Sequence, residues 1–292
     1  MSAPFDFIAD PAVRRVFEER HNYRAACAVE RPRTACLYFS SHGLYFPNTA
    51  AEFERAVVLG DRYEWERHPA RRIDKHVYVR DVRKQWYLGG ISAGCDSVEK
   101  VADLLRRETE GMRVTAIGSS AGGYAAALFG CLVDAATTIV VNGQFDLSHV
   151  LADPSAREVN RIVAAASGGA AGRWLDLKPL LEAHRGAIYY FHSARCPADV
   201  RQAEIVRGVP AVRAIRIDSA VHGVPFFSEN LHALLGLPDA ELEELPRERI
   251  VHPIELSVRL DGAARTGLHV ARWIAGRLLG RGSATAQPAP SE

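Results

Sequence analysis

Short apolar runs alternate with stretches of helical period along most of the chain. Thr34–Ser40, His76–Arg80, Arg113–Gly118, Thr137–Asn142, Ala187–His192 and Val212–Ile217 are mostly apolar on successive positions rather than on every second one. That pattern predicts strands buried on both faces. Between them, Asp96–Thr109 places Val98, Val101, Leu104 and Leu105 on one stripe, and Ala121–Leu132 is small and apolar nearly all round. Both predict helices, the second buried against the sheet. Further helices are expected at Pro11–Glu19, Ser155–Ala166, Lys178–His184, Asp199–Val206 and Thr266–Leu279. Buried strands alternating with helices predict an α/β fold, a mostly parallel central sheet with helices on both faces.

Composition narrows the function classes. Of the 292 residues, 48% are hydrophobic and 24% charged, enough apolar material for a sizeable core. Lys and Arg (36) nearly balance Asp and Glu (35), a net charge of +1 that removes the cationic field a dedicated nucleic-acid binder needs. No apolar stretch reaches the length of a membrane span and the N-terminus lacks the basic flank of a signal peptide, so a cytoplasmic protein is expected. Five widely spaced cysteines without a CxxC pair suggest neither a disulfide framework nor a zinc site. One domain is expected over 1–282, followed by a disordered tail, 283–292, of small and polar residues. Apolar residues of Thr266–Arg281 lie among Arg265, Arg272, Arg277 and Arg281, a pattern that suits an anionic membrane surface or, as most such helices do, docking on the core or on a second copy; a homo-oligomer stays open.

The strongest chemical signal is Gly118-Ser119-Ser120-Ala121-Gly122, a G-x-S-x-G segment between the strand VTAIG and the helix AGGYAAALFG. Such a turn admits only small flanking residues and lifts the central hydroxyl clear of the backbone, at a helix N-terminus that favours developing negative charge. Ser120 is therefore the candidate nucleophile. A serine hydroxyl needs a base and a group that orients the base. The expected chain order is Ser, acid, His. Asp199 closes the loop after Ala187–His192, and His222 follows Val212–Ile217, the expected last strand. Asp199 could equally serve as a helix cap, and Asp146 in NGQFDL is its rival as the acid. Two backbone N–H groups must meet the oxyanion: Ala121 for one, Gly43 or Leu44 for the other. His42 beside them is a candidate substrate contact. No H-x-x-x-H pair supports a metal site.

These residues resemble the α/β-hydrolase superfamily, from about Thr34 to Leu235. The resemblance implies the α/β-hydrolase fold, a Ser-His-Asp triad and no cofactor. YFSSHGLYFPNT, DRYEW, VRDVRKQWYLGG and GSSAGGYAAALFG are also similar to segments of bacterial hydrolases associated with cell-surface polysaccharide synthesis. The segments around Arg80 and Trp86 combine charge with aromatic rings on the ligand-binding side of the sheet. Arg80 and Trp86 are candidate contacts for a small or carbohydrate-linked acyl ester; an internal ion pair and packed indoles are the bland alternative. The expected activity is a serine esterase or deacylase working through an acyl-enzyme. Alternatives are an acyltransferase with the same triad, or a non-catalytic accessory protein of polysaccharide synthesis or secretion.

Overall fold

The computed structural model describes residues 5–278, with side chains to residue 275. The expected tail 283–292 lies outside the described residues, as do positions 279–281 at the end of the expected last helix. Eight strands form one sheet: β1 (Tyr23–Cys27), β2 (Thr34–Phe39), β3 (Lys75–Val79), β4 (Arg113–Ser119), β5 (Thr137–Val141), β6 (Ala187–Ser193), β7 (Val212–Ile217) and β8 (Ile250–Val251). Their order is β1-β3-β2-β4-β5-β6-β7-β8, and every neighbouring pair is parallel except β1 with β3. All six expected strands are present within a residue or so of their predicted ends.

Alternate residues of the central strands feed two cores. Leu37, Phe39, Val77, Val79 and Val140 pack on one face, against the helices Val98–Glu108 and Ala121–Leu132. Cys36, Tyr38, Ile117, Ile139, Tyr189 and Ile215 face the other side, under the segments that carry Leu231, Leu242 and Leu256. Both faces are covered, which is why the strands read as continuous apolar runs.

Several elements differ from the expectation. β1 pairs antiparallel at the sheet edge with four of its five residues exposed, so no apolar pattern announces it. Short β8 follows β7, which is therefore not the last strand. The expected helix Ser155–Ala166 is split into Pro154–Val159 and Arg161–Ala166, with non-helical Asn160 (φ −105°, ψ 52°) between them. The final helix begins at Pro253 and kinks at Gly262, whose φ of 79° favours glycine.

Candidate active site

Four loops converge at the C-terminal ends of β2, β4, β6 and β7. The turn after β4 is tight. Ser120 has φ 50° and ψ −123°, a left-handed backbone that a non-glycine residue adopts only when its surroundings fix it. Neighbouring glycines make this packing achievable. A Cβ on Gly118 would lie 1.9 Å from the Gly122 carbonyl oxygen, and one on Gly122 would lie 2.3 Å from that of Phe39. The helix Ala121–Leu132 thus presses directly on β2 and its exit loop, buried from Ala121 to Cys131.

The three expected triad residues meet there. Ser120 Oγ lies 2.9 Å from His222 Nε2, and His222 Nδ1 lies 2.8 Å from Asp199 Oδ1. A carboxylate only accepts, so Nδ1 carries the proton and Nε2 is left to accept from the Ser120 hydroxyl. All three are nearly closed to solvent, at 7%, 2% and 4% exposure for Ser120, Asp199 and His222. Asp146, the rival acid, instead accepts from Ser148 N–H within its own loop. Asp199 is not a helix cap: Pro197 opens the helix Pro197–Ile205, and Asp199 sits in its first turn.

Polar residues that local spacing did not reveal hold the His222 loop. Asn142, at φ 43° just past β5, donates to Ser193 Oγ (2.9 Å) and to the Gly223 carbonyl (2.9 Å). It accepts from Ser193 N–H at 2.8 Å, and Ser193 Oγ donates to the Val221 carbonyl at 2.6 Å. Both residues flanking His222 are therefore tied to the ends of β5 and β6. Gln202 from the Asp199 helix receives the N–H groups of Phe145 and Asp146, joining the acid's helix to the β5 exit.

The loop after β2 differs from the expectation. Gly43 N–H donates to Ser41 Oγ (2.9 Å) and Leu44 N–H to the Ser41 carbonyl (3.1 Å). Both groups close a short turn, His42–Leu44, so neither is left for an oxyanion. His42 is the first residue of that turn, where an N–H has no partner within the turn. Glu64, from the DRYEW segment, grips Ser41 through both its hydroxyl and its N–H. Burial pushes the Glu64 carboxyl up, against these two bonds. The His42 ring lies 4.5 Å from the Trp86 indole, edge to face, and its Nε2 is buried without a hydrogen-bond partner. Burial, then the charges of Lys84 and His222, lower its pKa to about 3, so the ring stays neutral.

Arg80 is corrected from substrate contact to scaffold. It is wholly buried, and its guanidinium donates to Asn22 Oδ1 (3.0 Å), the Arg62 carbonyl (3.0 Å) and Asp61 Oδ1 (2.8 Å) while lying over the Tyr63 ring. Trp65 likewise donates to the Phe39 carbonyl at 2.8 Å. Trp86 donates to Gln144 Oε1 at 3.2 Å, which places the indole between the β2 and β5 exits.

No family model matches the chain, and no curated protein does. Among solved structures, it is similar to a capsule O-acetyltransferase of Neisseria meningitidis serogroup A, at 11% identity over 68% of this chain and 83% of that one, with a TM-score of 0.48. An S-formylglutathione hydrolase from Agrobacterium tumefaciens matches at 12% identity over 66% and 80%, TM-score 0.41. A carboxylesterase of Nitrososphaera gargenis matches at 11% over 90% and 98%, TM-score 0.38. Likenesses this distant say nothing of activity. The mostly parallel sheet, its antiparallel edge strand and the strained turn after β4 give the chain the α/β-hydrolase fold.

Proposed function

We propose that the protein is a serine hydrolase of the esterase or deacylase type that works through an acyl-enzyme. The observation that carries this reading is the relay from Ser120 through His222 to Asp199, 2.9 and 2.8 Å long, at a strained turn heading a helix. His222 takes the Ser120 proton as the oxygen attacks the acyl carbon, and Asp199 stabilises the imidazolium that forms. Ala121 N–H stabilises the oxyanion, with the His42 N–H as second donor. His222 then returns its proton to the departing alcohol, and water attacks the acyl-enzyme by the reverse sequence. His42 and Trp86 line the acyl or alcohol portion, and the enclosed hydroxyl favours a small acyl group such as acetyl. Five unpaired thiols fit a reducing compartment, and the cytoplasm is the proposed location. Among the described residues, no helix is long and apolar enough to cross a membrane.

The near-complete burial of Ser120 favours a second reading, acyl transfer to a carbohydrate hydroxyl, because a closed site protects an acyl-enzyme from water. Small acyl esters incubated with and without a sugar acceptor separate the two. Hydrolysis predicts acid release at the same rate in both; transfer predicts acylated sugar at the expense of acid. Absence of acid, acylated sugar and any acyl adduct on the protein would overturn both readings.

A further inference from the structure

One side chain beside the triad takes no part in the relay. Cys196 is 2% exposed and stands immediately before the helix that carries Asp199. Its Sγ, an Asp199 carboxylate oxygen and a His222 ring nitrogen lie within 4.8 Å of one another. Asp199 Oδ1 is used by His222, but Oδ2 is buried with no hydrogen-bond partner. A cation satisfies such a buried carboxylate oxygen directly.

We propose that Cys196, Asp199 and His222 form an inhibitory site for a thiophilic divalent cation of the zinc type. One sulfur, one imidazole nitrogen and one carboxylate oxygen make a borderline-soft donor set of the kind tetrahedral zinc prefers. Zinc bonds of about 2.0–2.3 Å require ligand atoms roughly 3.3–3.8 Å apart, so atoms that lie within 4.8 Å of one another need to close by up to about 1.5 Å. The thiolate lies at a helix N-terminus, which favours its negative charge once formed.

The consequence for the relay follows from the imidazole tautomer. A cation on Nδ1 displaces the proton there; the neutral ring then carries its proton on Nε2. Cys196 loses its thiol proton to solvent, and the imidazole proton moves from Nδ1 to Nε2 through exchange with water. The balance is one proton released per cation bound. His222 Nε2 then has no lone pair to accept the Ser120 proton, and Asp199 no longer orients it. The effect on turnover rests on the reading of His222 as the base; cation binding does not.

The test uses cobalt(II) as a coloured stand-in for zinc, in a Cys27→Ser background because Cys27 is the exposed thiol. Expected are a near-ultraviolet thiolate-to-cobalt charge-transfer band saturating at one ion per chain, release of one proton per ion, and displacement by zinc. Cys196→Ser in the same background removes the band and raises the zinc concentration for half-inhibition of phosphonate labelling at least tenfold, with labelling in chelator unchanged. Zinc protection of Cys196 against iodoacetamide, read by peptide mass spectrometry in the unmutated chain, covers the case in which the variant fails to fold. No band, a band that survives Cys196→Ser, or alkylation of Cys196 at the same rate with zinc overturns the site. A Cys196-dependent band in a protein whose Ser120 never labels keeps the cation site and overturns the hydrolase reading instead.

Discussion

The turn after β4 and the loop after β3 lie at the same edge of the sheet and are built by opposite means. Around Ser120, small residues let backbone meet backbone: Gly118 touches Gly122, Gly122 touches Phe39, and Gly123 abuts Gly143. In the loop from Asp81 to Gly90, bulky residues adopt left-handed conformations, at Lys84 (φ 53°), Trp86 (50°) and Tyr87 (62°). Buried charge holds them there. Asp81 accepts from the N–H groups of Arg83, Gln85 and Tyr87, and Lys84 Nζ donates to the Tyr45 carbonyl (2.7 Å) and Asn48 Oδ1 (2.6 Å). The first region sets reactive geometry through steric exclusion; the second positions an indole through electrostatic ties. Damage to the first should silence Ser120, and damage to the second should lower stability and alter the pH response while Ser120 stays reactive.

The largest expected effect is at the hydroxyl. Ser120→Ala should lower turnover by about 10⁵–10⁶-fold while changing unfolding free energy by less than about 1 kcal/mol. Ester kinetics and urea unfolding measured together check this. Next is Gly118→Ala, whose added methyl has no room beside the Gly122 carbonyl. It should cost roughly 3 kcal/mol or more and abolish labelling, read from the melting temperature and probe uptake. On the other side, Asp81→Ala strands three backbone donors and should cost roughly 2–4 kcal/mol. Turnover should fall about tenfold as Trp86 loosens, with Ser120 still labelled. If Asp81→Ala silenced labelling as fully as Gly118→Ala, the division between the two regions would be wrong.

The smallest effect concerns pH. Burial lowers the Lys84 pKa to about 7, with Glu64 and Asp81 opposing. Between that value and the ordinary lysine pKa near 10.5, the unfolded chain holds a proton that the folded chain has released. Stability contributed by this group therefore rises with pH across that window. Lys84→Met should flatten the rise, and unfolding free energies compared at about pH 7 and pH 9.5 measure it. An equal slope in both proteins would place the lysine's titration elsewhere.

The same contrast explains what could be read from the residues alone. Ser120 was legible because a single short motif carries both its chemistry and its steric requirement. Asp199 and His222 followed from their places after β6 and β7. Asn142, Ser193 and Glu64 were not legible, because each is a polar residue at a strand end or in a loop whose partners lie 23 to 81 residues away. Arg80 misled for a related reason. As a candidate ligand contact it stands beside Trp86 and Asp81, whereas its bonds to Asn22 and Asp61, 58 and 19 residues away, make it the internal ion pair that was its alternative reading. β1 escaped because its side chains face water and backbone pairing alone fixes it. Pro197, which opens the helix two residues before Asp199, is the local signal that Asp199 lies inside the first turn and is not its cap.

The central claim is that Ser120 is activated by His222 and Asp199. Its most direct measurement is labelling with a fluorophosphonate, followed by peptide mass spectrometry of the unmutated protein and of His222→Ala. The account predicts a single phosphonyl adduct on the peptide containing Ser120, formed at least about a thousandfold more slowly in His222→Ala. An adduct on another residue, or equal rates in both proteins, would contradict it.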